Sequence, residues 1–316
     1  MTANSQRYSV LLENVFSLID KKVDAKSREH IHTFGRHFFK NISLDDLENR
    51  NDSDLYGATL SLWNTFSNFD ASSPNVRVFN PEIEKHGWKS SHTIVELILR
   101  DVPFLVDSVR MALNRLGITA HLLIHSPLNI ERDDSNKLVN FLDANQTSNL
   151  RQTVVFIEVD RQTSKADLEQ LTSELHSTID EVSLAVADWQ PMLDKLKAIT
   201  GKVSKAKTLP VDKSHKDTVL RFLDWLSDHN FTLMGYRYYS VSAIEGDHQW
   251  TPDNDSSLGL MKNSISDKPR LLSNLPATAR EEALSQHLLL LTKTNSRSRV
   301  HRPAYMDYVG IKEFNS

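Results

Sequence analysis

The stretch Thr93-Ile-Val-Glu-Leu-Ile-Leu99, followed by Asp101-Val-Pro-Phe-Leu-Val-Asp-Ser-Val109, decides the fold of this 316-residue chain. The first seven residues are mostly β-branched and apolar, which predicts a strand. The apolar residues between Leu105 and Leu116 recur at helical spacing, and Gly117 is suited to end that helix. A strand that leads directly into a helix indicates an α+β unit.

The residues that follow extend this pattern. Residues 118–125 alternate between apolar and other side chains, and residues 153–159 are β-branched and apolar, so both predict strands. A helix is predicted from Ser164 to Ile179. Residues 180–188 fit either a continued helix or a fourth strand that completes a ferredoxin-like βαββαβ unit. We expect one sheet with two helices on one face.

The residues on either side of this α+β unit predict further domains. Helical periodicity fills the first 70 residues, and turn-forming residues follow at 70–74. Residues 253–269 are expected to be loop-like. The chain stops at Ser316, just after a predicted strand and without a covering helix, which indicates a fragment. We therefore expect a helical N-terminal segment at 1–90, an ACT-like domain at 91–200, a Lys-rich linker at 201–213 and a second, truncated α+β (ACT-like) module at 214–316.

Composition excludes several classes of function. The chain has 37 Lys and Arg against 41 Asp and Glu, a net charge of −4, so we expect neither nucleic acid nor a membrane as a partner. It has no cysteine, which excludes disulfides and thiolate chemistry. It has neither a secretory signal nor an apolar run of about 20 residues, so we expect a cytoplasmic protein.

Dinucleotide- and nucleotide-binding turns need closely spaced glycines where a strand meets a helix. No two of the nine glycines lie within ten residues of each other, so neither turn motif exists in this sequence. The GxSxG and HExxH motifs are absent as well. We therefore expect no catalytic residues and no cofactor site in these residues.

Thirteen histidines raise the question of a metal site. His121 and His125 lie four apart and would share one face of a strand. No carboxylate motif accompanies them, so the favoured interpretation is the polar face of a half-covered sheet, and we expect no metal.

Two readings stay open for the turn between the first strand and its helix. Asp101 could cap the helix, with Pro103 in its first turn and Asp107 stabilised by the helix dipole. Alternatively, the free N–H groups of the helix N-terminus could bind an amino-acid carboxylate, with Asp107 receiving the ammonium group. The candidate ligand-binding residues are Asp101, Val102, Pro103, Phe104 and Asp107.

A locally basic cluster lies near the C-terminus. It consists of Lys293, Arg297, Arg299, His301 and Arg302. Aromatic stacking platforms and a wide basic face are not evident, so nucleic-acid binding is not favoured. Pairing with acidic groups of a neighbouring domain and binding of an anionic effector both remain open.

Several motifs occur together in one order. They are Asp101-Val-Pro-Phe-Leu-Val-Asp-Ser-Val109, Met111-Ala-Leu-Asn-Arg-Leu-Gly117, His121-Leu-Leu-Ile-His125, Ala187-Asp-Trp-Gln-Pro-Met192, Phe231-Thr-Leu-Met-Gly-Tyr236, Thr292-Lys-Thr-Asn-Ser-Arg-Ser298 and Val300-His-Arg-Pro-Ala-Tyr-Met-Asp-Tyr308. In this order they closely resemble the N-terminal region of the large bacterial NAD-specific glutamate dehydrogenases, from about residue 10 to the end of the chain.

The resemblance implies a very long polypeptide whose N-terminal part is a series of ACT-type modules with helical segments. It implies NAD-dependent conversion of L-glutamate to 2-oxoglutarate by the whole enzyme, with the catalytic and NAD-binding domains further along the chain. It also implies that the partners are the remaining domains of the same polypeptide, further copies in a homo-oligomer and an amino-acid effector. ACT modules commonly bind ligands at the turn equivalent to residues 101–104. Two roles stay open for these residues themselves: an amino-acid sensor and a structural piece that assembles subunits.

Overall fold

A computed structural model describes residues 3–47, 50–69, 73–143, 150–263 and 268–314. The chain forms two compact units, residues 1–179 and 180–316. Within the described ranges, every helix is too short or too polar to cross a bilayer.

The first unit combines helices with one sheet. Its helices are α1 (Ala3–Lys22), α2 (Ala25–Phe39), α3 (Leu44–Leu47), α4 (Asp52–Ser67), α5 (Ile83–His86), α6 (Leu105–Arg115) and α7 (Lys165–Ala187), the last of which runs on into residues of the second unit. Its strands are β1 (Asn75–Phe79), β2 (Thr93–Arg100), β3 (Ala120–Arg132), β4 (Leu138–Phe141) and β5 (Leu150–Val159). The predicted α+β class is confirmed.

The strands are arranged in the order β1-β2-β5-β3-β4, and all neighbours are antiparallel. In the βαββαβ order, the fourth strand would follow the second helix and lie beside β2. Here β1, which precedes β2 in the chain, occupies that edge. The fourth-strand reading of residues 180–188 is therefore wrong, because α7 continues to Ala187. Val182 and Ala185 are buried and extend the helical stripe that begins at Leu171.

One face of the sheet packs against α6 and α7, as the sequence predicts. Strands β2 and β5 contribute Val95, Leu97, Leu99, Val155, Ile157 and Val159 to this layer. The helices contribute Leu105, Val109, Ala112, Leu113, Leu171, Leu175 and Ile179. Gly117 follows α6 with a φ of 68° and its N–H donates to the Asn114 carbonyl, so glycine ends this helix as predicted.

The opposite face is covered by α1, α2 and α4. This layer is rich in aromatic residues and includes Phe34, Phe38, Phe39, Trp63, Phe66 and Phe156. Because both faces of β2 and β5 are enclosed, residues 94–99 and 154–159 are apolar on both faces apart from Glu96 and Glu158. The sheet is therefore the middle layer of three, with helices on both sides.

The second unit has smaller sheets. Its helices are α8 (Trp189–Lys205), α9 (Lys213–Trp225) and α10 (Ala277–Leu284), with a π-type turn at Leu226–Asn230 and 3-10 turns at Leu260–Asn263 and Leu272–Asn274. Its strands are β6 (Gly235–Ile244), β7 (Asp247–Gly259), β8 (Arg270–Leu271), β9 (Leu289–Arg297) and β10 (Tyr305–Ile311). Strands β6, β7 and β8 form one sheet, and β9 pairs with β10 in another. Whether residues 214–316 form an ACT-like module stays a prediction.

The expectation that residues 253–269 are loop-like is wrong for its first part. Strand β7 continues to Gly259, because the tight turn at Gly246 keeps it paired with β6 across an irregularity between Tyr236 and Tyr238. The end of β7 is fixed by Asp188, whose carboxylate accepts the Gly259 N–H at 2.7 Å. Residues 264–267 of the expected loop lie outside the described ranges.

The bounds of the helices and strands bear on the predicted domain boundary at residue 90 and on the predicted linker at residues 201–213. The sheet of the first unit begins at β1, before residue 90, and its helical layer begins with α1. Residues 201–205 continue α8, so the extended part of the expected linker spans residues 206–212.

Candidate functional site

The turn between β2 and α6 holds four of the five predicted ligand-binding residues. The Asp101 N–H donates to the Arg151 carbonyl at 3.0 Å, which continues the pairing of β2 with β5 beyond the strand. Val102 is half-buried against the α6–α7 layer, whereas Pro103 is exposed. Phe104 has a φ of 68°, a left-handed conformation that is uncommon for a bulky residue. The turn is therefore a tight connection with a strained last residue.

Asp101 does not cap the helix, which corrects the first reading of this turn. Helix α6 begins at Leu105, so Phe104 is at the capping position, and the Phe104 side chain makes no capping hydrogen bond. Pro103 accordingly lies outside the helix. The reason is that the residues Val102 to Phe104 form a turn of their own before the helix begins.

The Asp101 carboxylate faces the sheet instead. One oxygen forms an ion pair with the Arg151 Nε at 2.8 Å, and the other lies 3.7 Å from the His125 Nε2. This acid is therefore already paired with a cation of β5.

Asp107 lies in the first turn of α6, as the sequence predicts, and its side chain is exposed. A carboxylate at this position interacts favourably with the positive end of the helix dipole. The geometry leaves uncapped N–H groups and an exposed acid on the same helical turn. An amino acid could use both, so the ligand reading stays a prediction.

His121 and His125, which the sequence singled out by their spacing, lie near different acidic residues. The His121 Nε2 lies 2.8 Å from Asp160, which also accepts the Thr119 N–H at 2.7 Å. These hydrogen bonds, that of Thr119 first, hold the pKa of Asp160 below its usual value. His125 lies near Asp101. Among the described residues, no three His, Asp or Glu side chains are arranged to hold a metal ion.

A second polar cluster lies on the other face of the sheet, and sequence reasoning missed it. Glu158 of β5 is only 9% exposed at its side chain and pairs with Arg50 at 2.5 Å. The ring of His92 lies 3.6 Å from the same carboxylate and packs on His121 at 4.5 Å between ring centroids. Burial lowers the pKa of His92, because an imidazolium is less well solvated there. The sequence signal for this cluster was Glu158, a charged residue inside the otherwise apolar run at residues 153–159.

Glu96 is a second charge inside an apolar strand. It is fully buried and bonds to Arg77 of β1 at 3.0 Å and to the hydroxyls of Ser61 and Thr65 on α4. Burial raises the pKa of Glu96 despite these partners. The cluster links β1, β2 and α4, so its role is to hold the layers together.

Several residues of the basic cluster near the C-terminus have partners within the second unit. Lys293 pairs with Asp307 across the β9–β10 sheet, and Arg299 pairs with Glu181 at 3.1 Å. The guanidinium of Arg297 lies over the Tyr305 ring at 5.5 Å. A role for this cluster in binding an effector stays a prediction.

The sheets in the described residues differ from those of the usual dinucleotide-binding fold. Every strand pair there is antiparallel, whereas the dinucleotide-binding fold needs parallel strands with a glycine-rich turn between strand and helix. The β2–α6 turn has no glycine. The residues described do not fit NAD.

Residues 34–175 match the family described as "Glutamate dehydrogenase, ACT1 domain". This match and the sheet with its two helices define the first unit as an ACT-type α+β domain.

The chain is also similar to longer proteins over most of its length. It is 33% identical over 308 residues to the "NAD-specific glutamate dehydrogenase" of Halomonas elongata, which is 96% of this chain and 19% of that protein. It is 37% identical over 295 residues to the protein of the same name from Pseudomonas aeruginosa, which is 92% of this chain and 18% of that protein. The protein of that name from Mycobacterium tuberculosis is 22% identical over 212 residues. The chain belongs to the family of NAD-specific glutamate dehydrogenases, and it spans about a fifth of the length of the first two relatives.

Proposed function

We propose that these residues are the N-terminal regulatory or scaffolding region of a cytoplasmic NAD-dependent glutamate dehydrogenase. The whole enzyme would convert L-glutamate, water and NAD to 2-oxoglutarate, ammonium and NADH. The observation that carries this proposal is similarity over 96% of this chain to a protein of which the match covers only 19%. The remaining domains of such a polypeptide would be its first partners.

In this proposal the region itself is not a catalyst. The antiparallel sheets and the widely spaced glycines support this, because neither provides the close backbone approach that a pyrophosphate needs. The test is an assay of the purified 316-residue chain with L-glutamate and NAD. We expect no NADH. NADH formation above that of a preparation from cells without the chain would contradict the proposal.

The regulatory form of the proposal assigns an amino-acid effector to residues 101–107. The effector carboxylate would accept hydrogen bonds from the uncapped first turn of α6, and Asp107 would receive its ammonium group. Asp101 would position the turn through Arg151. This assignment rests on the uncapped helix end and on the exposure of Asp107.

Calorimetric titration with glutamate, aspartate and other amino acids tests the effector. We expect saturable binding that Asp107→Ala abolishes while the melting temperature of the free chain stays nearly unchanged. Asp167→Ala is a matched control, because Asp167 is an exposed acid in the first turn of α7. The sensor role fails for this site if no amino acid binds at millimolar concentration.

The alternative function is structural: a module that assembles subunits and binds no ligand. The pairing of Asp101 with Arg151 favours it, because a residue of the candidate site is already engaged. The strands β1 and β4 are the edges of the sheet, and edge strands can pair with a second copy. Sedimentation of the chain over a range of concentrations tests it. A homo-oligomer is expected, and a monomer at every concentration would contradict it.

A further inference from the structure

Strand β6 forms one edge of the three-stranded sheet in the second unit. In the described part of the chain it pairs with β7 on one side and has no strand on the other. Its last five residues, 240–244, are all exposed. Because successive side chains of a strand point to opposite faces, this stretch is open on both faces as well as at its edge.

The backbone of β6 directs polar groups toward this edge. Ile244 and Asp247 flank the two-residue turn at 245–246, so this pair exchanges backbone hydrogen bonds, and every second residue before Ile244 does the same with β7. The residues between them point their N–H and C=O groups away from β7; they are Tyr239, Val241 and Ala243. The register agrees, because Pro252, which has no N–H, lies opposite Tyr239. A further strand could therefore pair with β6.

Most natural edge strands carry a feature that prevents pairing with another chain, such as short length, a lysine or a proline. β6 has ten residues, and its stretch 238–244 (YYSVSAI) contains neither a charge nor a proline. Its pairing with β7 is regular over this stretch, so no bulge turns the edge away. By contrast, β1 has five residues with Arg77 at the centre, and β9 has Lys293 at its centre. A second copy paired centre to centre would place either charge opposite itself.

A second copy of β6 fits this edge in the antiparallel orientation. With a two-fold axis at Val241, that residue faces itself and Tyr239 faces Ala243 of the second copy, so the outward backbone groups of the two strands meet. Tyr238 then comes opposite Ile244, an aromatic and β-branched pair of the kind that stabilises sheets. Both side chains are exposed in the single chain, at 42% and 40%.

The charges that flank the stretch are complementary in this arrangement. Arg237 lies four residues before Val241, and Glu245 lies four residues after it. The axis therefore brings Arg237 of each copy opposite Glu245 of the other. The Arg237 guanidinium is held on the sheet by the Ser257 hydroxyl at 2.7 Å, and Glu245 is exposed. Opposite charges at these positions favour a second copy in this register.

From these observations we propose that the free edge of β6 pairs with β6 of a second copy of this chain, antiparallel and about a two-fold axis at Val241. The two sheets then join into one, with the strand order β8-β7-β6-β6-β7-β8. This inference rests on the structural form of the proposed function, in which the chain assembles subunits. It assigns that assembly to the second unit rather than to the edges β1 and β4 of the first.

The experiment is sedimentation velocity of the purified 316-residue chain at about 1–100 µM, where we expect a monomer–dimer equilibrium. Val241→Lys places two ammonium groups opposite each other at the axis and should weaken the dimer at least about tenfold. Leu291→Lys is the matched control, because Leu291 is an apolar residue of another edge strand with similar exposure, 57% against 51% for Val241. This control should leave the dimer unchanged.

A mixing experiment tests the axis itself. Val241→Glu alone should weaken the dimer as the lysine variant does. An equimolar mixture of Val241→Lys and Val241→Glu should restore it, because residue 241 then faces an opposite charge. Both variants replace an exposed side chain, so circular dichroism should show the same fold as the unchanged chain. Val241→Pro removes an outward N–H and should also weaken the dimer; if it does not fold, the mixture decides.

The outcomes separate this assignment from the function on which it rests. A dimer that Val241→Lys leaves unchanged, or a mixture that stays monomeric, would overturn the assignment to β6, while the structural function would stand. A monomer at every concentration would overturn both. The free edge would in that case be left for a strand from the remaining domains of a longer polypeptide.

Discussion

The strands of the two units differ in how they are enclosed. Seven of the eight residues of β2 are buried, whereas the longer strand β6 has no buried residue. Strand β9 is likewise without buried residues, and Leu291 on it is 57% exposed. The first sheet is covered by helices on both faces, while the strands of the second unit leave much of their surface accessible. The difference shows that a strand signal in the sequence does not reveal whether the strand is enclosed.

The two units also differ in how the charged residues on their strands are stabilised. Glu96 and Glu158 are acids inside apolar strands, and each has an arginine partner and further polar neighbours. A buried charge is tolerated only when it is paired and hydrogen-bonded. In the second unit, Lys293 and Asp307 pair on exposed strands, where water contributes most of the solvation. An arginine partner is therefore required for the buried acids of the first unit, whereas the exposed ion pair of the second unit contributes little to stability.

The largest expected effect compares two leucines on strands. Leu97→Ala in β2 removes a fully buried side chain and should lower the free energy of unfolding by about 2–5 kcal/mol. Leu291→Ala in β9 should change it by less than about 0.5 kcal/mol, because that side chain is mostly in water. Urea unfolding monitored by circular dichroism measures both. Equal losses for the two variants would contradict the difference in enclosure.

The buried ion pair of the first unit should show the next largest effect. Arg77→Met leaves the Glu96 carboxylate buried without its cation and should cost about 2–4 kcal/mol near neutral pH. Because burial raises the pKa of Glu96, this acid takes up a proton readily as the pH falls, so the cost should shrink in acid.

Glu96→Gln is the matched variant for that pair. It removes the buried charge and keeps an acceptor for Arg77, so its cost should be below about 1 kcal/mol. Unfolding measurements on both variants at neutral and acidic pH check the prediction. A cost of Arg77→Met that is the same at both pH values would show that Glu96 stays ionised.

Two helical glycines should respond in opposite directions. In the first unit, Gly57→Ala places a Cβ 2.3 Å from the Trp88 Cβ and should destabilise the chain by about 1–3 kcal/mol. In the second unit, no atom of the described residues lies within 4 Å of a Cβ at Gly201 in α8, so Gly201→Ala should stabilise it by about 0.5–1 kcal/mol. Thermal unfolding of both variants gives the signs. A stabilising Gly57→Ala would mean that Trp88 is free to move away from α4.

The smallest expected effect is a pH dependence in the first unit. Burial lowers the pKa of His92 in the folded chain, so the unfolded chain binds a proton more readily. This contribution to stability is present above the unfolded pKa of about 6.5 and is lost as the pH falls below it. His92→Gln should remove that loss, with a difference from the unchanged chain of less than about 1 kcal/mol. The free energy of unfolding of both chains is measured between neutral and mildly acidic pH. Curves of this free energy against pH that stay parallel for the two chains would refute the assignment.

Much of the fold could be predicted from periodicity alone. The helices of residues 1–70, the strands at 93–99 and 153–159, and the α6 stripe with Leu113 all follow from spacing, because each element buries one regular set of side chains. Strand β1 was missed, because it has five residues and follows the turn formers at 70–74. The end of β7 was missed as well, because it is polar and is held by pairing with β6 and by Asp188.

The sites were harder to predict than the elements. The position of Asp107 in the first turn of α6 follows from local sequence, but the partner of Asp101 is Arg151, fifty residues away in the chain. Arg50 and Glu158 are farther apart still and meet only when α4 and its neighbours cover the sheet. Local sequence therefore located the turn, whereas the Arg50–Glu158 pair depends on tertiary packing that single-sequence patterns do not encode.

The position of β1 at the edge of the sheet has a consequence for how the protein is made. In the βαββαβ order, the last edge strand would leave the ribosome after the second helix. Here β1 is made before β2, so all five strands of the sheet are available once Val159 has emerged. We expect that the sheet can therefore close during synthesis before the second unit appears, which shortens the time that its apolar edge beside β2 is exposed to other nascent chains.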